Sequence, residues 1–165
     1  MRLPQPPLPL LPLASLLLLS AMSATLAGGS SGSTRNVLGG ALRACGAGVG
    51  YYRDGFCRTD ASDRGVHVVA AVVDERFLSF TASRGNDLST PRGASFPGLR
   101  DGDRWCLCAL RWKEALEAGV APRVDLAATN IAALKYVRLE DLVLHALPGS
   151  EEAAAGGGGA EGELR

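Results

Sequence analysis

The chain has 165 residues, room for one domain, and its 17 basic and 17 acidic side chains cancel at neutral pH. Such a chain has no net field to hold nucleic acid or an anionic membrane surface, and the balance stays near neutral when the atypical ends are set aside. Only Lys113 and Lys135 are lysines, so the positive charge is nearly all arginine, the cation suited to bidentate contact with carboxylate or phosphate.

Residues 1–27 carry a single charge, Arg2, then a proline-leucine run, the apolar stretch Leu11 to Met22 and the small-residue sequence Ala24-Thr25-Leu26-Ala27. This is the shape of a secretory leader cleaved after Ala27. Two other readings stand beside it: an organellar targeting segment, for which arginine is scarce, and translation from Met22, which leaves a short Ser/Gly leader. The protein is secreted or lumenal if the leader is genuine and cytoplasmic if it starts at Met22. The apolar run is short and proline-broken for a membrane span, and none is expected in the mature domain. Residues 28–35 read as a flexible linker and 36–147 as a single globular domain. Residues 148–165, glutamate- and glycine-rich without apolar periodicity, read as a disordered tail.

Within the domain, Asn36 to Gly40 is a short extended segment ending in a glycine turn, and Cys45 to Gly50 is a glycine-rich loop. Tyr51 to Arg58 reads as two extended pieces around the Asp54-Gly55 turn. Val66 to Val73 is almost wholly apolar and β-branched, the mark of a strand buried on both faces. Asp74 is a fitting N-cap for a helix carrying Phe77, Leu78 and Thr81, which Gly85 ends. A loop held by Pro91 and Pro97-Gly98 leads to the turn Asp101-Gly102 and a second strand, Arg104 to Leu110. Alternation sends Trp105, Leu107 and Ala109 one way and Arg104, Cys106 and Cys108 the other, with the two thiols about 7 Å apart along the strand.

The spacing next predicts a helix over Arg111 to Ala118 with Lys113 and Glu117 paired on its outer face. A short extended piece, Arg123 to Leu126, follows. Thr129 is a reasonable cap for a helix through Lys135, and Leu139 to Leu147 repeats the helical period. The order of elements predicts an α+β domain, a compact two-layer α/β sandwich in which helices cover a small sheet.

The strings NVLGG, YYRDGFCRT, GVHVV, SRGNDLSTPR, GDRWCLCALRWKEALEAG and ALKYVRLEDL together resemble the largely bacterial family of small uncharacterised proteins called domain of unknown function 2237, over about 36–147. The resemblance implies a compact α/β two-layer domain and implies no activity. The chain departs from the family pattern in a shorter loop between Cys45 and Tyr52, in Phe56 and in Ala70, the last two standing where further cysteines are common.

Four cysteines and His67 allow several chemistries. Cys45, Cys57, Cys106 and Cys108 supply enough thiolates for zinc, with His67 as a replacement ligand, although the spacings lack a C-x2-C knuckle. As disulfides, Cys45 to Cys57 is the expected bridge, because Cys106 and Cys108 on one strand face are poorly placed to join. Cys106 and Cys108 also read as buried free thiols, or as a nucleophile with His67 as base and Arg84 or Arg104 beside it. His145 reads as a surface residue complementing a helix C-terminus.

The loop Ser83 to Arg92 gathers polar and charged side chains around Gly85, as binding loops on rigid scaffolds do; the alternative is that they satisfy their own turns, with Arg84 paired to Asp101 or Asp103. The expected function is therefore a small ligand-binding or interaction module. Its cleft is lined by Arg84, Asn86, Asp87, Ser89, Arg104 and Tyr52, with His67 and the Cys-x-Cys strand. A thiol-dependent enzyme and a zinc-stabilised structural domain are the alternatives. No cofactor other than that zinc is expected, and no partner is indicated.

Overall fold

The structure is a computed structural model that describes residues 34–93 and 96–150. The leader and most of the expected tail lie outside the described residues.

Strand β1, His67–Val72, is the centre of the fold. It lies between β2, Arg104–Cys108, and the two-residue β3, Arg123–Val124, in an antiparallel sheet of order β2-β1-β3. Its run of valine and alanine suits a central strand because both faces are covered: Val68, Val69, Ala70 and Ala71 are all buried. Val69 and Ala71 enter the main core with Phe77, Trp112, Leu126 and Leu142. Ala70 faces a separate cluster with Cys45, Val49, Cys57, Cys106 and Ala128.

Helix α1, Glu75–Ser83, follows β1 directly, and the Asp74 carboxylate accepts from the Phe77 N–H at 2.8 Å, the cap the sequence predicts. Gly85, at φ +81°, ends it. Helix α2, Ala109–Glu117, starts two residues before the expected Arg111, straight out of β2. No side chain caps it, but the Ala109 N–H donates to the Val66 carbonyl at 3.1 Å, so its first donor is satisfied by the strand alongside. The fully buried Trp112 of α2 closes the core, its indole N–H donating to the Pro122 carbonyl at 3.2 Å. Helix α3, Leu139–Leu144, is shorter than expected because the chain beyond it pairs with β3: Val124 donates to the His145 carbonyl and Leu147 to that of Val124. Among the described residues this makes a small antiparallel sheet with three helices, the α+β class expected.

Several local expectations give way to tertiary demands. Tyr51 to Arg58 is not extended but a chain of turns, with Gly50, Arg53 and Gly55 at positive φ, a conformation that does not join a ladder. The hydroxyl of Thr129 is taken by the sheet: it accepts from the Ala70 N–H, so Asn130 caps the next element, a 3-10 helix at Ile131–Lys135. Arg84 pairs with Glu114 at 2.7 Å rather than with Asp101 or Asp103, because α1 and α2 lie side by side. Glu114 also accepts from Arg111 at 2.9 Å and is the paired acid of α2 among the described residues, in place of Glu117 with Lys113. His145 is half-buried, its Nδ1 2.9 Å from the Asp141 carbonyl and its ring edge-on to Trp112. Among the described residues no helix is long and apolar enough to cross a membrane.

Candidate functional site

The open side of β2 and the start of β1 form one wall of a cleft of about 390 Å³, within the range of small-molecule sites. His67 is the polar centre of that wall. The backbone leading to it is strained: Val66, a β-branched residue, sits at φ +49°, and the register with β2 slips between His67 and Val69. The turn before it supplies Asp63, whose fully buried carboxylate accepts from the His67 backbone N–H at 2.7 Å and lies 2.6 Å from Nδ1. Burial pushes the Asp63 pKa up, but these bonds outweigh it and hold the carboxyl below its ordinary range. Gly65 is required by the same packing, since a Cβ there would stand 2.3 Å from the imidazole. The Asp–His arrangement orients the ring and leaves Nε2 as its outer nitrogen.

The opposite wall is the loop after α1. Asn86 is held by its bond to the Thr81 hydroxyl at 3.0 Å. The Asp87 carboxylate accepts from the backbone of Ser89 and Thr90, and the Thr90 hydroxyl leads the causes that lower its pKa. Arg92 donates to the Asp87 carbonyl at 3.2 Å and reaches the cleft. Asn86, Asp87 and Arg92 thus satisfy bonds within and around their own loop and also line the cavity. Leu88, Phe96 and Trp105 give the cleft an apolar floor, with Phe96 edge-on to Trp105 at 5.4 Å.

The third side comes from the turns after Cys45. Tyr51 stacks parallel to His67 at 6.2 Å, and the Arg53 guanidinium lies over Trp105 at 4.7 Å. Asp54 bonds to Arg58 and leaves Arg53 to the indole. Tyr51, Arg53 and Trp105 line the cleft in addition to the residues the sequence points to. The i,i+4 spacing of Asp54 and Arg58 is the signal that frees Arg53, while Trp105 reaches the cleft because β2 is an edge strand.

Of the expected lining residues, Asn86, Asp87, His67 and Cys106 meet here. Arg84 is tied to Glu114, and Arg104 to Asp125 at 3.0 Å. Ser89 lines a separate shallow hollow with Arg100 and Asp101. Tyr52 packs its ring beneath the Arg58 guanidinium at 4.1 Å, with the Asp60 carboxylate leading the causes that push its pKa up.

The cysteines correct the sequence reading most sharply. The disulfide joins Cys57 to Cys106, not to Cys45, because the loop folds its far end onto the face of β2. Cys106 is therefore neither a free thiol nor an available nucleophile. Cys45 is free and buried, and burial pushes its thiol up to about 11. Cys108 is free and half-buried opposite His67 in the ladder, and both line a hollow adjoining the cleft with Arg111. The four-cysteine zinc set is not assembled: the sulfurs of Cys45, Cys57 and Cys106 lie within 4.8 Å of one another, and Cys108 is not among them.

The model of an uncharacterised family conserved in bacteria, domain of unknown function 2237, matches residues 35–146. The chain belongs to that family. No curated protein matches it at a significant level. The match to domain of unknown function 2237 takes in the cleft-lining residues named above and all four cysteines. It assigns no reaction to either.

Proposed function

We propose that the cleft is the binding site of a small ligand with an anionic group and a flat apolar body, and that the protein is a small-molecule binding module. One observation carries this: Arg53 and Arg92 approach a floor made of Trp105, Phe96 and Leu88, and neither arginine is ion-paired to a carboxylate among the described residues. The Asp87 carboxylate accepts from its own loop and meets Arg92 only as a neighbouring charge, Asp54 is bonded to Arg58, and Asp63 is buried behind the imidazole. A carboxylate or phosphate on the ligand fits the guanidinium forks, and its apolar body replaces water on the indole. Asn86 adds a polar contact that fixes orientation.

The thiol-dependent alternative now rests on Cys108 alone. Among the described residues no hydrogen bond joins its sulfur to His67, and Cys106 is held in the disulfide, so binding is the better-supported reading. The test is a titration with aryl carboxylates and aryl phosphates followed by backbone amide shifts. Saturable shifts at Tyr51, His67, Asn86 and Trp105 support the reading. Shifts centred on Ser89 and Arg100, or none up to about 10 mM ligand, would remove it.

A further inference from the structure

The sheet face that carries Ala70 has a second cluster, which the binding reading does not use. Cys45, Cys57 and Cys106 are 4%, 0% and 1% exposed. Their sulfurs all lie within 4.8 Å of one another. Two come from the ends of the loop that carries Tyr51 and Arg53, and one from edge strand β2. The loop ends are drawn together by the backbone, with the Cys45 N–H donating to the Gly55 carbonyl at 2.8 Å. Val49, Ala70 and Ala128 line the rest of the cluster with apolar groups. A bridge between Cys57 and Cys106 uses two of these sulfurs; the third, Cys45, sits against it as a free thiol.

We infer that in the reduced chain Cys45, Cys57 and Cys106 form a three-sulfur site for a soft monovalent cation, Cu(I). Thiolates select soft ions, and the candidates for such a set are Cu(I) and zinc. A structural zinc site closes with a fourth protein ligand. Here, among the described residues, no fourth histidine, cysteine or carboxylate ligand atom joins the three sulfurs within 4.8 Å, and the cluster walls are apolar. A trigonal ion needs only the sulfurs present.

The chemistry balances with a dithiol as reductant. Exchange breaks the Cys57–Cys106 bond and passes two electrons and two protons to its sulfurs, while the dithiol becomes a disulfide. Cu(I) then binds without changing oxidation state, and the thiol protons it displaces pass to solvent. Because Cys106 also lines the cleft, the state of the cluster would be felt there.

The experiment takes the full chain, reduced anaerobically with a phosphine and freed of reductant, and titrates it with Cu(I) held by the colorimetric chelator bicinchoninate. The expected result is one Cu(I) withdrawn per chain, binding weakened at least about tenfold by Cys45→Ser, and no change on Cys108→Ser. The oxidised chain should take none. Cys45→Ser leaves both bonded cysteines in place, circular dichroism checks its fold, and Cys45→Ala serves as the second variant. The inference is overturned if the reduced chain leaves copper on the chelator, if the Cys45 variants bind as the natural chain does, or if Cys108→Ser abolishes uptake. A tighter site for zinc, with a tetrahedral spectrum on cobalt substitution, overturns it equally.

Discussion

Replacing Asp63 by alanine removes the group on which the cleft wall turns. Its carboxylate is fully buried and accepts twice from one residue, at 2.7 Å from the His67 backbone N–H and at 2.6 Å from Nδ1. Each bond to a charged acceptor contributes roughly 1.5 to 3 kcal/mol, and bonds sharing one acceptor are not additive, so the loss should be about 3 kcal/mol. Asp63→Asn keeps an acceptor for the backbone N–H and should lose only about 1 to 2 kcal/mol. The pH dependence has a defined sign. The folded-state pKa of Asp63 lies below the ordinary value, so its contribution is complete above the ordinary carboxylate range and disappears as pH falls through the depressed folded value. The acid limb of the stability curve should therefore be shallower in Asp63→Ala than in the natural chain. Urea unfolding at several pH values, with the His67 ring followed by NMR, measures both effects. An alanine variant within about 0.5 kcal/mol of the natural chain, with the same acid limb and an unmoved ring, would refute the anchoring role of Asp63.

Three further outcomes follow from the loop that faces the cleft. Gly50 has φ +88°, and a Cβ there would stand 2.3 Å from the Phe56 carbonyl oxygen, so Gly50→Ala should cost about 2 to 4 kcal/mol in urea unfolding. Cys57→Ser opens the bridge that ties this loop to β2 across 49 residues; it should cost about 3 to 4 kcal/mol and weaken ligand binding about tenfold as Tyr51 and Arg53 lose their fixed positions. Cys45 keeps its proton to about 11 in the folded chain against 9.0 for an ordinary thiol, so stability is complete below that lower value and falls as pH rises through the upper one. The alkaline loss should approach roughly 3 kcal/mol and be absent in Cys45→Ala, as unfolding at graded pH will show.

The parts of the fold legible in the sequence are those fixed by local pattern. The β-branched run of β1, the Asp74 cap and the Gly85 stop each follow from side-chain shape or backbone conformation over a few residues, and each appears where expected. What was not legible depends on long-range partners. The start of α2 is set by the Val66 carbonyl, the role of Thr129 by an N–H in β1, and the partner of Arg84 by a helix distant in sequence. The candidate site divides the same way. His67, Asn86 and Asp87 reach the cleft because a strand end and a post-helix loop project side chains there, whereas Tyr51 and Arg53 arrive through a stack of positive-φ turns that alternation does not anticipate. The expected Cys45–Cys57 bridge follows from Cys106 and Cys108 being unable to join each other along one strand face, which leaves out the cross-pairing that forms when the folded loop brings Cys57 onto β2.

The most direct test of the binding account compares an aryl carboxylate with its uncharged amide on the natural chain and on Arg53→Ala, by calorimetry, or by Trp105 fluorescence in a Trp112→Phe background where that variant folds. The account predicts that the natural chain prefers the carboxylate by about 1 to 3 kcal/mol and that Arg53→Ala loses most of that preference while still binding the amide. An unchanged preference in Arg53→Ala, or equal binding of both compounds by the natural chain, would contradict it.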